Sequence, residues 1–150
     1  MQDVTNLNTF SLDKTKKGWY IRLEKASKRL EKVLGKPTVF NKLLYFTTFY
    51  YNDKGDPCQV AGDPKLYVVE YLSGGGALAL DDYLAGKPSE RSRIIGEGVG
   101  EGVPSSAVIT VNMKGKGSVI VGTTSGQIDS TKVHSPTTTK DILYWREVIP

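Results

Sequence analysis

The stretch from residue 36 to residue 76 constrains the fold more than any other part of this chain. It places a polar step, Asn41-Lys42, between a short apolar run at 38–40 and the longest β-branched and aromatic run of the sequence, at 43–51. A loop rich in Asp, Gly and Pro follows, and a third apolar run at 66–72 then stops at a serine and three glycines. Apolar runs separated by turn-forming residues in this way predict three antiparallel strands.

The C-terminal third repeats this pattern. An apolar run, a polar turn, a second apolar run and a tight Ser125-Gly126 turn lead into a third run, and the Thr47-Thr48 pair recurs as Thr123-Thr124. Such a repeat is typical of two related sheets and of propeller blades. The strands predicted here span 106–111, 118–124, 127–133 and, at the end of the chain, 142–149.

The segment from Trp19 to Leu34 is ambiguous between helix and strand. Several of its apolar residues recur at helical spacing, and Gly35 and Pro37 supply a stop signal. The same segment also alternates polar and apolar residues, so tertiary pairing can override the local propensity. We predict a β-hairpin, because this interpretation places Trp19 and Ile21 on one face.

Length and composition suit one ordinary hydrophobic core, since the chain has 150 residues of which 39% are hydrophobic. We expect a polar tail or edge strand over 1–17 and a single β domain over 18–150, with a further edge strand at 91–95. No apolar run reaches the ~18 residues that a membrane-spanning helix needs. The residues after Met1 also lack the basic and apolar regions of a signal peptide.

Positive charge is concentrated in the first third of the chain. Residues 1–50 hold ten Lys or Arg and four Asp or Glu, a balance of +6, whereas residues 51–150 hold ten and twelve, a balance of −2. A basic face can bind nucleic acid. Here the lysines are interspersed with Asp13, Glu24 and Glu31 and no nucleic-acid motif accompanies them, so we predict a solvated face of mixed charge and no nucleic-acid partner.

Catalytic motifs are missing from the sequence. It contains no G-x-S-x-G, H-E-x-x-H or P-loop, and neither His134 nor Cys58 has a partner at a recognisable spacing. The glycines at 96–102 do not form a dinucleotide fingerprint, because the third glycine is displaced and two carboxylates would repel a pyrophosphate. We therefore expect a protein that is not an enzyme and that binds no cofactor. Cys58 is the only cysteine of the sequence, and we favour a pairing partner for it outside this fragment.

Five aspartates in predicted loops are the candidate binding residues: Asp53, Asp56, Asp63, Asp81 and Asp82. Calcium takes about six to eight oxygen ligands, usually at alternate positions around a tight turn. The first three aspartates lack that spacing, so we predict turn-forming residues and no metal site. The loops at 52–64 and 81–90 are longer than hairpins require and are predicted to display binding residues. We place the strand aromatics, among them Trp19 and Trp145, in the core rather than on a carbohydrate-stacking surface.

Seven fragments occur in a set order along the chain. They are GWYIRLE, KPTVFNKLLYFTTF, Asp56-Pro57-Cys58, KLYVVEYLSGG, GVPSSAVIT, VIVGTTSGQI and ILYWREVIP. Together, and most specifically in the Tyr144-Trp145-Arg146-Glu147 ending, they resemble the C-terminal part of PilY-type proteins, the type IV pilus biogenesis factors and tip-associated adhesins. The resemblance implies a β-propeller domain of a much larger secreted protein that acts at the cell surface or pilus tip in pilus extension, retraction control and adhesion.

Two departures from the family pattern shape these expectations. A chain of 150 residues supplies at most about two to three four-stranded blades, whereas a propeller closes with about four to eight. We therefore expect an all-β fragment or split partner that forms a partial β-propeller, or a compact β sandwich or barrel derived from one. The D-x-D-x-N-x-D calcium loop of the family is also missing, so no metal ligand is transferred to this chain.

The expected partners are pilus or other surface proteins, or the remainder of a larger PilY-type protein. Exposed strand edges also predict self-association. The alternative is a fragment of a quinone-dependent dehydrogenase-like propeller enzyme. Such an enzyme needs a vicinal disulfide or a metal with carboxylate ligands, and a single cysteine cannot supply the disulfide.

Overall fold

The computed structural model describes residues 1–4, 13, 15–23, 31–51, 62–78, 94–95, 99–113 and 115–133, the pair 94–95 by its backbone only. Within this part of the chain ten strands form three sheets and no residue is helical, which confirms the all-β prediction. In chain order the strands are β1 (Gln2–Asp3), β2 (Trp19–Tyr20), β3 (Lys32–Val33), β4 (Thr38–Phe40), β5 (Leu43–Tyr50), β6 (Asp63–Glu70), β7 (Ile94–Ile95), β8 (Val108–Val111), β9 (Gly117–Gly122) and β10 (Ile128–Val133).

The hairpin predicted at the centre of the sequence is confirmed. Strands β4 and β5 pair antiparallel, with Phe40 opposite Leu43. Asn41 and Lys42 between them have φ values of 47° and 64°, the left-handed conformations of a two-residue hairpin turn that follows the twist of the strands. Strand β6 pairs with the full length of β5, and this pairing starts β6 earlier and ends it earlier than the apolar run at 66–72 suggests.

Strand β5 belongs to a five-stranded sheet that buries both of its faces. The order is β3-β5-β6-β7, with β4 also paired to β5. One face contributes Leu43, Tyr45, Leu66 and Val68 to the main hydrophobic core. The opposite face carries Phe46, Tyr67 and Val69, against which Trp19, Ile21, Leu23 and Leu44 pack. Burial on both faces explains why β5 is a nearly continuous apolar run rather than an alternating one.

The repeated pattern of the C-terminal third forms a three-stranded antiparallel meander in the order β10-β9-β8. Its inward side chains, among them Val119, Val121 and Val133, complete the core shared with the first sheet. Three hydrogen bonds join the two sheets at one edge. Thr47 Oγ1 donates to the carbonyl oxygen of Ser105 at 2.7 Å, Thr38 Oγ1 to that of Ala107 at 3.0 Å, and the Lys36 amide to Ser106 Oγ at 2.9 Å.

The predicted hairpin from Trp19 to Leu34 is wrong in its pairing. Both described ends are strands rather than helix, but β2 pairs in parallel with β1, and β3 pairs antiparallel with β5. The Trp19 indole explains the difference, because its Nε1 donates to the carbonyl oxygen of Tyr71 at 2.9 Å and fixes β2 beside the end of β6. Residues 24–30 lie outside the described part of the chain.

The remaining fold predictions concern the edge strands, the closure of the fold and the C-terminal strand. An edge strand near the N-terminus and another within 91–95 are present as β1 and β7. The described strands form neither a closed barrel nor a propeller, and the strand predicted at 142–149 lies outside the described residues. The described part of the chain holds no helix of the length and apolarity required to cross a bilayer.

Candidate binding groove

Of the five candidate aspartates, Asp63 is described, and the loop prediction for it is wrong. It is the first residue of β6 and lies opposite Tyr50 in the register, because the pairing with β5 extends further than the apolar run. Asp53, Asp56, Asp81 and Asp82 lie outside the described residues, as do Cys58 and His134. Within the described ranges, no group of three or more His, Cys, Asp or Glu side chains is placed to hold a metal ion.

An open apolar groove of about 230 Å³ lies on the face of the five-stranded sheet turned away from the second sheet. Its lining consists of Trp19, Ile21, Leu23, Val33, Pro37, Leu44 and Phe46. Leu44 and Phe46 supply the sheet surface, and the segments at 19–23 and 33–37 supply the rest. All seven side chains are hydrocarbon or aromatic, so the groove can bind apolar groups, and its described lining offers no acid, base or nucleophile.

Trp19 is held in the groove by close packing as well as by its hydrogen bond. Its ring lies over Gly74, which has φ +69°, and a Cβ added there would come within 2.6 Å of the indole. Only glycine accommodates both the conformation and the contact. Below, Phe46 and Tyr67 stack with ring centroids 4.9 Å apart and planes 9° apart. The groove is therefore preformed on rigid aromatic packing.

The open edge of the groove is formed where the edge strand of the sheet is interrupted. Strands β3 and β4 both pair with β5, with Val33 opposite Thr48 and Thr38 opposite Tyr45. The chain between them leaves the sheet toward the second one, and a Cβ at Gly35 would lie 2.9 Å from the Cα of Ser106. This detour leaves three large apolar side chains exposed: Val33 at 42%, Leu34 at 52% and Val39 at 61%.

A buried ion pair lies further along the same face. Glu31 accepts a hydrogen bond from the Thr48 hydroxyl, and its Oε2 lies 3.3 Å from Lys65 Nζ. The Glu31 side chain is 4% exposed and the Lys65 side chain 18%. Thr48 and Lys65 are directly opposite in the register. The prediction of a solvated Glu31 is therefore wrong, and local sequence carries no signal for its partner 34 residues away.

The segments that form the groove carry the positive charge of the chain. Residues 14–42 hold ten Lys or Arg and two Glu. Lys32, Lys36 and Lys42 are exposed, and none of them forms an ion pair with another described residue. Arg22 is already paired, because its Nε lies 3.0 Å from an Asp3 carboxylate oxygen. Lys32 lies opposite Phe49 in the register and so on the other face of the sheet. Lys36 adjoins Pro37 of the lining, and Lys42 lies in the turn before β5. The apolar groove thus has two exposed lysines next to it in the chain.

A second, polar depression lies between Gly100–Glu101 and residues 127–129 of the second sheet. Gln127 Oε1 accepts a hydrogen bond from the Glu101 amide at 3.1 Å and so closes one side of it. A Cβ at Gly100 would lie 2.2 Å from the same oxygen. Gly100 has φ +78°, a left-handed conformation that favours glycine, so the backbone accounts for the glycine at this position.

Comparison of this chain with protein-family models, with curated protein sequences and with solved structures finds no match.

Proposed function

We propose that this chain is a non-enzymatic binding module of the type IV pilus machinery that engages protein partners at the cell surface or pilus tip. The ordered fragments that resemble PilY-type proteins support the pilus assignment. The observation that carries the binding role is the open apolar groove with its exposed edge. In this proposal the two sheets that share a core are neighbouring blades of an incomplete propeller, completed by the remainder of a larger protein.

The groove supports binding because a contiguous apolar patch on a protein surface often marks an interaction site. It adjoins three exposed apolar side chains within seven residues, Val33, Leu34 and Val39. Concave apolar surfaces that are formed before the ligand arrives are also the usual form of binding sites. A rigid floor of stacked Phe46 and Tyr67 meets that condition.

The test replaces the chromosomal gene with a variant carrying Val33→Asp, which puts a charge into the groove. A matched control is Val108→Asp, since Val108 is 55% exposed on the second sheet, away from the groove. Surface pili in the sheared fraction, twitching motility and adhesion to an abiotic surface are measured. We expect all three to fall with Val33→Asp and to stay at the wild-type level with Val108→Asp. Unchanged pili, motility and adhesion after deletion of the whole gene would overturn the proposal.

The loops offer a second test. Removal of residues 52–61 or 81–90, with the fold verified by circular dichroism, should alter adhesion or motility if these loops display binding residues. The purified protein is also assayed with pyrroloquinoline quinone, an alcohol substrate and an electron-accepting dye. Turnover that disappears when His134 or Cys58 is replaced would establish the dehydrogenase alternative instead.

A further inference from the structure

We infer that the apolar groove is the docking site for an extended polypeptide segment with an apolar centre and acidic flanks. This inference rests on the proposed function, since it names the partner class of the same module. It follows from three properties of the groove: its size, its place at a sheet edge and the charge around it.

The size of the groove fits side chains better than a cofactor. Small-molecule and cofactor pockets usually enclose about 300–1,000 Å³ and bury most of the ligand. This groove is open and holds about 230 Å³, room for a few apolar side chains of a chain lying across it. Its continuation over Val39, which is opposite Leu44 in the register and so on the same face, extends the contact beyond the groove itself.

The position of the groove suits a partner in extended conformation. Among the described strands, none pairs with the outer edge of β4. A partner strand there would gain main-chain hydrogen bonds while its alternate side chains enter the groove, which is how strand addition combines affinity with specificity. The turn at Asn41-Lys42 fixes the twist of β4 and therefore the course of an added strand.

The charge around the groove selects among possible occupants. A second copy of this chain docked on the groove across a two-fold axis would bring another Lys36 and Lys42 into the same interface, and like charges brought together oppose association. An acidic flank instead complements them. An anionic membrane shares that charge, but the groove is concave, and the Trp19 N–H that would serve at a membrane interface is already bonded to Tyr71. The observations therefore favour an acid-flanked peptide.

The experiment selects phage-displayed random dodecapeptides on the immobilised full chain, with the Val33→Asp variant in solution as competitor. Enriched peptides are synthesised, and their dissociation constants are measured by fluorescence anisotropy. We expect enriched sequences with an apolar centre and Asp or Glu flanks. Their affinity should fall about tenfold or more with Val33→Asp and stay unchanged with Val108→Asp. It should also weaken between ~50 and ~500 mM salt, because the flanking contacts are exposed.

Charge reversal separates docking from folding defects. Lys36 is exposed, so Lys36→Glu keeps the test decisive if Val33→Asp fails to fold. We expect this variant to lose the acid-flanked peptides and to gain affinity for the same peptides with Lys flanks. The matched control is Lys116→Glu, a change at an exposed lysine of the second sheet's hairpin.

Three outcomes would overturn the inference: enriched peptides without acidic flanks, binding that survives both groove variants, or no enrichment at all. Sedimentation with vesicles of phosphatidylcholine and phosphatidylserine tests whether the groove binds an anionic membrane instead. Vesicle binding that depends on Val33 and Lys36, without peptide enrichment, would assign the groove to lipid and overturn the peptide. A normal pilus phenotype in the Val33→Asp strain together with peptide binding would remove the proposed pilus role while leaving the docking site in place.

Discussion

Replacement of Lys65 by methionine removes the cation that faces the buried Glu31 carboxylate, and we expect it to lower the free energy of unfolding by about 2–3 kcal/mol. Methionine keeps most of the apolar stem of the lysine, so the change tests the charge more than the packing. What remains is a carboxylate that is 4% exposed and retains its hydrogen bond from Thr48.

The magnitude follows from the geometry of the pair. At the 3.3 Å separation of Lys65 Nζ and Glu31 Oε2, an effective dielectric constant of ~20 gives a gross attraction of ~5 kcal/mol before desolvation. Loss of one partner of a fully buried pair costs about 3–5 kcal/mol. The lysine side chain is 18% exposed, and water can partly screen the carboxylate. We therefore expect a loss in the free energy of unfolding that is smaller than this range.

Urea unfolding followed by circular dichroism and tryptophan fluorescence measures the effect. The matched control is Lys132→Met, since Lys132 is exposed on β10 and should change stability by less than about 0.5 kcal/mol. The double variant with Glu31→Gln should be more stable than Lys65→Met alone, because the buried charge is then gone. Equal losses for Lys65→Met and Lys132→Met would refute the reasoning.

Two further predictions concern backbone conformation. Gly74→Ala should destabilise the protein by about 1–3 kcal/mol more than Gly126→Ala in thermal unfolding. Both glycines have positive φ, but an added Cβ meets the Trp19 ring at Gly74 and nothing within 4 Å at Gly126; equal costs would contradict the packing argument. Lys42→Gly should raise stability by about 0.5–1 kcal/mol, because the relieved strain of a left-handed residue, about 1–2 kcal/mol, exceeds the entropy cost of glycine, about 0.5–1 kcal/mol. A lower melting temperature for this variant would show that the lysine conformation is not strained.

The parts of the fold that sequence could predict are those in which neighbouring strands pair with each other. β4, β5 and β6 follow one another in the chain and in space, as do β8, β9 and β10, and their turns carry their own signals. Apolar runs and turn residues are local properties, so both sets were predicted. Their ends shifted by a few residues because the partner strand, rather than the apolar run, decides where pairing stops.

The candidate groove could not be predicted because it depends on contacts between distant residues. β2 and β3 are two residues long, and nothing local decides that β2 pairs with β1 or that β3 pairs with β5. The contacts of Trp19 with Gly74 and Tyr71 fix the position of β2. Glu31 is a similar case. A glutamate in a lysine-rich segment is expected at the surface, and only the position of Lys65 in the fold shows that it is buried.

The three hydrogen bonds between the sheets join residues that are far apart in the chain, which affects the risk of aggregation during synthesis. They join residues 58, 69 and 70 positions apart. The β4–β5 connection spans only residues 41–42 and the β5–β6 connection residues 51–62, and a hairpin forms within about 1–10 μs. The first sheet is therefore complete on a ribosome well before the second is made. Until β9 and β10 emerge, its inner face exposes Leu43, Tyr45, Leu66 and Val68 to solvent. A nascent chain with this surface exposed is prone to aggregate, and slower translation between residues 78 and 117 would lengthen the period in which it is exposed.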